Sequence, residues 1–388
     1  MTWKEHCQQA ESCIKAGELL KAEKEYRLAL EGARGDERAK LLLALGKVQR
    51  QLADYDNAAD SLQEALDIFK RSEREDSIEF LRVLEMVGNV HAEKANYEEA
   101  ETALKQSMQK RSKSFGVDSP EVAESMADLG VVFMMQGRLD EAEPLLSKAL
   151  GIRRRKPGAS HPDYAESLKQ IAELRTRQQK HDLSLPLLRQ ALDVRERWFG
   201  KDHPEVADCL HALAREQFMQ GKLKEAESNW KRAEQIWERG LPETHPLRVA
   251  VVNNLASCAL GQRKPEEAEE LYKKALSILE AQGNADSLPG LDSVLGLGLT
   301  YLQRNQFAEA EPHVKRALKM IEELGDAQQK MEYGLIEKLL TCYIFQGKLG
   351  DALRLVPASL RARHTKEFSD TMDMLHQIAA FLRRSTRI

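Results

Sequence analysis

From Ala10 to Ala352 the chain repeats one arrangement of apolar and polar positions. Two small residues stand twelve apart in Ala10/Ala22, Gly46/Ala58, Gly88/Ala100, Gly130/Ala142, Ala172/Ser184, Ala214/Ala226, Ala256/Ala268 and Gly298/Ala310, and a ninth pair, Leu340/Ala352, keeps the spacing with one large member. The first step is 36 residues and every later one is 42. Around each pair the apolar residues recur at three- and four-residue spacing, which predicts an amphipathic helix on either side of a reversal marked by Gly137, Gly221 and Gly347. The second helix of each unit adds a large residue three before a small one, as in Tyr26/Ala29, Leu62/Ala65, Leu146/Ala149, Leu188/Ala191, Trp230/Ala233, Tyr272/Ala275 and Val314/Ala317. That spacing puts both on one helix face, ready to pack on the next hairpin. A period of this length predicts a solenoid, in which a hairpin buries its apolar face only by stacking on its neighbours.

The helix boundaries are equally periodic. Ser119-Pro120, His161-Pro162, His203-Pro204 and His245-Pro246 place proline at the start of four successive first helices, where its missing N–H costs no hydrogen bond. Thr2 with Glu5, Asp76 with Glu79 and Asn96 with Glu99 have the spacing of capping boxes. Pro144, Pro186 and Pro312 share one position near the start of a second helix, which predicts that each falls at the end of the first turn. Beyond the repeats, Phe368, Met372, Leu375, Ala379 and Leu382 form the apolar stripe of a helix over 366–382. The expected organisation is a repeat array over residues 1–362 and a capping helix with a basic tail over 363–388, covering the degenerate ninth hairpin.

Composition narrows the function. Charged residues are 31% of the chain, aromatics 6%, and the formal net charge is −4, without the basic excess of a nucleic-acid binder. The strongest basic run, Arg153-Arg154-Arg155-Lys156, suits a helix C-terminus, and a phosphate contact there is the lesser reading. Cys7, Cys13, Cys209, Cys258 and Cys342 are scattered and never form CxxC, as expected of reduced thiols in a cytoplasmic protein. No apolar run reaches 18 residues. The three HP histidines stand one repeat apart, too far to share a metal ion, and helix capping accounts for them. HExxH, GxSxG and P-loop motifs are absent, so the expectation is a non-enzymatic chain without cofactor or metal.

The paired small residues, the large residue before the final small one and the hairpin length together resemble the tetratricopeptide repeat. The 42-residue period and the phrases RERWFGKDHPEVADCL and THPLRVAVVNNLASC are similar to the kinesin light chain variety. The resemblance implies an all-α, right-handed superhelical solenoid of about nine hairpins whose first helices line a concave groove for peptide segments of partner proteins. The groove positions it implies lie three before and one, four and five after the first small residue. They give Lys47, Arg50, Asn89, Val131, Met134, Met135, Lys169, His211, Arg215, Phe218 and Met219, then Asn253, Ser257, Leu299 and Leu302. This mixed lining suits a segment with one or two apolar anchors and an acidic residue between them. The expected function is therefore a scaffold or adaptor that captures such a segment. The alternative is a regulatory subunit or effector that clasps a folded domain, or associates with its own copies, through the convex face or the C-terminal helix. No asparagine has Lys or Arg four residues before it, which argues against the family's clamp for chaperone tails.

Overall fold

The computed structural model describes residues 1–324, 329–348, 350–352 and 355, and among these there is no strand. The chain divides into two compact units, Met1–Arg248 and Val249–Ile388. The first holds six helical hairpins: α1 (Trp3–Lys15) with α2 (Leu19–Gly32), α3 (Gly35–Gln51) with α4 (Tyr55–Arg71), α5 (Ile78–Glu93) with α6 (Tyr97–Phe115), α7 (Pro120–Met135) with α8 (Leu139–Arg153), α9 (Pro162–Arg177) with α10 (His181–Phe199), and α11 (Pro204–Met219) with α12 (Leu223–Trp237). The boundary falls within α13 (Pro246–Gly261), whose partner is α14 (Pro265–Ala281). Then come α15 (Leu288–Gln303) with α16 (Phe307–Leu324), and α17 (Gln329–Phe345), followed by helical residues 350–352. The all-α hairpin solenoid expected from the periodicity is thus what forms. The capping helix expected over 366–382 lies outside the described residues.

The small residues are required by close approach. A Cβ on Gly46, Gly88 or Gly130 would lie 2.7–2.8 Å from the side chain of Leu62, Leu104 or Leu146, the large residue of the same hairpin's second helix. These leucines and their counterparts Tyr26, Leu188, Trp230, Tyr272 and Val314 are buried, as is Leu340. Each reversal places one residue in the left-handed region. Gly17, Gly137, Gly221 and Gly347 occupy it without strain, but Ala53, Ala95, Gln179, Arg263 and Asn305 occupy it too. Packing of the hairpin therefore outweighs the roughly 1–2 kcal/mol such a residue costs.

Helix starts follow the caps in most places. Thr2 and Glu5 form the capping box, and the Ser119 hydroxyl accepts from the Val122 N–H. His161, His203 and His245 each accept a backbone N–H two residues on through Nδ1, at 3.2 Å. At α5 the cap is Ser77 rather than Asp76, which pairs with Lys110 instead. Asn96 occupies the cap position of α6 without a side-chain bond. Pro144, Pro186 and Pro312 are each the sixth residue of their helix, about two residues past the end of the first turn, so each removes one backbone bond.

Three arginines at one repeat position join successive hairpins of the first unit. Arg111, Arg153 and Arg195 are buried at the ends of α6, α8 and α10, and each donates to a carbonyl in the first turn of the next first helix, at Glu121, Asp163 and Glu205. Arg111 also grips Glu85 through two bonds of 2.9 and 2.7 Å and Glu124 at 2.8 Å. Arg195 pairs with Glu166 and Glu205, and Arg153 donates to the Ser167 hydroxyl at 2.9 Å. Arg153 ends α8, as the basic run suggested, but it is part of the interior, and only Arg154, Arg155 and Lys156 of that run are exposed.

The first unit also closes on itself. A Cβ on Gly240, just past α12, would lie 1.7 Å from the Gly17 carbonyl oxygen in the α1–α2 turn, and one on Gly17 would lie 2.9 Å from the Pro204 ring. The Gln51 carbonyl at the end of α3 accepts from His245 Nε2 at 2.9 Å. The first hairpin thus meets the sixth and its exit, and the second meets the start of the seventh, so one superhelical turn takes five hairpins.

Candidate binding surface

Within the first unit, neighbouring first helices touch from α3 through α5, α7 and α9 to α11, and no comparable contact joins neighbouring second helices. The array curves with its first helices inside, so their outward residues face a common concave surface. Of the eleven residues expected there in this unit, most keep some exposure. Lys47 is open to solvent and makes no hydrogen bond or ion pair among the described residues. Its ammonium is nonetheless held below the usual lysine range by desolvation against the surrounding wall, with Arg82 adding repulsion and Glu124 opposing it. Arg50 reaches Glu93 at 3.3 Å, and Asn89 donates to Asp128 at 2.8 Å.

Further along, Val131 and Met135 stay partly exposed against the core of α7 and α8. Met134 does not: it is 3% exposed and packs inside that core, because its helix face turns toward the neighbouring hairpin. Lys169 pairs with Glu166 at 3.0 Å. Burial works against both charges, but Lys169 and then Arg195 hold Glu166 down to about 2, and Glu166 in turn raises Lys169. Arg215, 48% exposed on its side chain, has a single loose contact with Glu173 at 3.5 Å, and Glu173 is already bound by Arg177 at 3.0 Å.

His211 stands between these cations with its ring tilted against Trp230 and Trp237. Its Nδ1 is buried and has no partner. Burial, with Arg215 and Lys169 adding repulsion, pushes it down to about 4, so it is neutral in ordinary buffers. Phe218 leans on Trp230 with ring centroids 5.8 Å apart, and Met219 is 64% exposed at the end of α11.

The second unit gives a different result. Asn253 is 5% exposed, donates to the Pro289 carbonyl at 3.0 Å and accepts from the Ser293 hydroxyl at 2.7 Å. It fastens α13 to α15 instead of offering its amide to a ligand. Ser257 is occupied by the Asn253 carbonyl and the Tyr272 hydroxyl. Leu302 packs against the apolar core, and Leu299 is partly exposed.

Several concave residues lie one turn before the expected positions. Arg82, Glu124, Glu166 and Asp208 stand six before the small residue and Asp128 two before it, all at least partly exposed. Burial pushes Asp128 up to about 6 against the hydrogen bond from Asn89, with Glu124 adding repulsion. Asp208 is likewise pushed up to about 6 by burial, against the attraction of Lys169. Extending the same register by one helical turn would have found these five. No helix among the described residues is long and apolar enough to cross a membrane, and no group of three or more His, Cys, Asp or Glu is placed to hold a metal ion.

Residues 79–155, 127–183, 163–239 and 247–323 match a family described as tetratricopeptide repeat, and residues 41–75 match a second family of the same description. No curated protein matches. Among solved structures, the chain is similar to the apo form of the quorum sensor NprR from B. thuringiensis at 16% identity, with a TM-score of 0.55 over 87% of this chain and 94% of that one. It is also similar to a signal transduction ATPase with a tetratricopeptide repeat sensor from Pyrococcus horikoshii, at 13% identity and TM-score 0.58 over 80% of this chain and 47% of that one. A putative kinesin light chain from Podosopora anserina aligns at 23% identity and TM-score 0.43, over 52% of this chain and 96% of that one. At these identities the likeness is one of fold.

Proposed function

Because this chain belongs to the tetratricopeptide repeat family, we propose that it is a non-catalytic interaction scaffold whose first unit holds a peptide segment of a partner protein on the concave face of its first helices. The observation that carries this reading is Lys47 beside Arg82: both are exposed on the concave face, and among the described residues no acid is bonded to either. Exposed cations without an acid of their own attract a partner that brings the opposite charge. Exposed Met219, with Phe218 and Met135 at other points of the same face, supplies apolar contact area. The complementary ligand is a segment with a carboxylate for Lys47 and Arg82 and apolar side chains for the methionines. None of the five thiols is in a disulfide, which supports a reducing compartment such as the cytoplasm.

The test is charge reversal where no internal bond is lost. Lys47→Glu with Arg82→Glu should leave the thermal midpoint within about 2 °C, since exposed substitutions move stability by only about 0.5 kcal/mol. It should remove the partners that wild type recovers by affinity purification from its native cell and that cross-link to α3, α5 or α7. Recovery of the same partners in the same yield would overturn the concave-face reading and favour the convex face or the C-terminal segment.

A further inference from the structure

One loop of the first unit breaks the repeat in two ways at once. In four hairpins an aspartate stands two residues before the first helix: Asp76 before α5, Asp118 before α7, Asp202 before α11 and Asp286 before α15. Each pairs with a cation on or just past the second helix of its own hairpin: Lys110 at 2.7 Å, Lys148 at 3.6 Å, Arg239 at 4.0 Å and Arg316 at 3.2 Å, in that order. At α9 the same position is Ser160, exposed and with no side-chain hydrogen bond among the described residues. The charges before it change too. Residues 70–76, 112–118 and 196–202 each hold as many acids as bases, whereas residues 154–160 hold Arg154, Arg155 and Lys156 and no acid. The other hydroxyl at this position, Thr244 before α13, follows a stretch in which acids outnumber bases.

The backbone accounts for the way these cations are presented. α6 and α10 run on to Phe115 and Phe199, but α8 stops at Arg153, and Pro157 stands at the repeat position of those phenylalanines. A proline there cannot keep a helical bond to the Arg153 carbonyl, and it drives the residue before it out of the helical region. Lys156 accordingly has φ −147° and ψ 122°. The His161 N–H then donates to the Gly158 carbonyl at 3.1 Å, which keeps Ser160 within one short turn of the three cations. Arg154, Arg155 and Lys156 are all exposed, and none has a side-chain hydrogen bond or ion pair among the described residues. Cations at a helix end suit its dipole, yet Arg197, at the repeat position of Arg155, has an acid of its own in Asp193 at 2.8 Å. Three uncompensated cations beside a hydroxyl that replaces an aspartate call for an anion at that hydroxyl.

We propose that Ser160 is a phosphorylation site, modified by a protein kinase with an acidic substrate cleft, and that Arg154, Arg155 and Lys156 receive the phosphate. In the transfer the Ser160 Oγ bonds to the terminal phosphorus of a nucleoside triphosphate, the bond from that phosphorus to the bridging oxygen breaks, and the nucleoside diphosphate leaves. The hydroxyl proton passes to a base of the kinase. Complementary charge between the cleft and the three cations selects this serine. The phosphoserine carries a charge of about −1.5 to −2 and three acceptor oxygens. It supplies the anion that other loops hold as aspartate, ties the end of α8 to the start of α9, and removes a basic patch from the surface. The switch is independent of the reading of the concave face.

The test uses the full chain with phosphoserine placed at 160 by codon reassignment and, for comparison, at Ser114, an exposed serine of the charge-balanced stretch 112–118. Phosphorus NMR follows the second ionisation of each phosphate. At 160 it should occur at a pH lower by roughly half a unit or more than at 114. The difference should vanish when Arg154→Gln, Arg155→Gln and Lys156→Gln are combined. Equal titration at the two sites would overturn the receiving role of the cations.

Use of the site is read by mass spectrometry of the chain purified from its native cell with phosphatase inhibitors present. Phosphate on Ser160 is the expected result, and an unmodified Ser160 in growing, starved and heat-shocked cells would overturn the modification. Titration of the unmodified chain with inorganic phosphate separates the two sources of the same anion. Saturable amide shifts at residues 154–160, together with an unmodified Ser160 in the cell, would assign the three cations to the free ion and overturn the proposal.

Discussion

At the scale of single residues, glycine and alanine have opposite values at two kinds of position. Gly130 faces Leu146 so closely that an added Cβ would lie 2.8 Å from its Cγ and Cδ2, with the Ala142 carbonyl oxygen 3.5 Å away. Gly130→Ala is expected to cost about 1–3 kcal/mol by overpacking. Ala95 sits at φ +60°, where a side chain is strained, and Ala95→Gly is expected to gain about 0.5–1 kcal/mol. Urea denaturation of the two variants should show opposite signs, and matching signs would refute the assignment of turn and contact. Titration offers a second test. Asp128, pushed up to about 6, stays protonated in the fold where the unfolded chain has lost its proton. That group contributes stability only at low pH and loses it as pH rises through about 4 to 6. His211, pushed down to about 4, has the opposite sign: its contribution is present above about pH 6.5 and is lost as pH falls toward 4. Asp128→Asn should therefore raise stability by about 1–2 kcal/mol at pH 7.5 and by little at pH 4.5, since its Oδ1 can still accept from Asn89. His211→Phe should flatten the fall in stability between pH 6.5 and 4. Denaturation midpoints at three pH values would check both, and an increment independent of pH would count against them.

At the scale of elements, the hairpins are joined in two ways. Large residues of the second helices fill the space left by small residues, which is general to the repeat. Buried arginines at the ends of α6, α8 and α10 bind the next hairpin's first turn, which is particular to three successive units. Arg111 is the most committed, with both oxygens of buried Glu85 and one of Glu124. Arg111→Met should cost roughly 3–5 kcal/mol because it leaves Glu85 buried without its cation, and Arg111→Met with Glu85→Met should recover most of that. A double-mutant cycle on chemical denaturation measures the recovery, and an additive loss would mean that packing, not the ion pair, holds this joint. Recurrence of one residue every 42 positions is visible in the chain itself, yet the pattern there marks Arg153 only as part of a basic run at a helix end. Helix-end cations are common at surfaces, and only the position of the following hairpin places its guanidinium beside Ser167 and the Asp163 carbonyl.

At the scale of the whole molecule, the period and the small residues were enough to determine that this is an all-α array of hairpins, because local spacing sets which helix face is apolar and which residues allow close crossing. The proline and histidine starts of the first helices were legible for the same reason, since caps act within one turn of chain. The concave face was legible in part. Lys47, Arg215 and Met219 could be counted from the repeat register, whereas Met134 and Asn253 occupy the same register and are buried, because what a helix position faces depends on how far the neighbouring hairpin rotates over it. The raised aspartates were missed because desolvation depends on groups brought together from several hairpins. Closure of the first unit lay wholly beyond the sequence pattern. Gly17 and Gly240 are ordinary turn glycines in the chain, and they meet only because small rotations between hairpins, each set by side-chain packing, add up to a full turn after five. The sequence by itself determined the unit and its stacking; the accumulated rotation, a sum over many contacts that no local pattern encodes, decided the curvature and with it the enclosed surface.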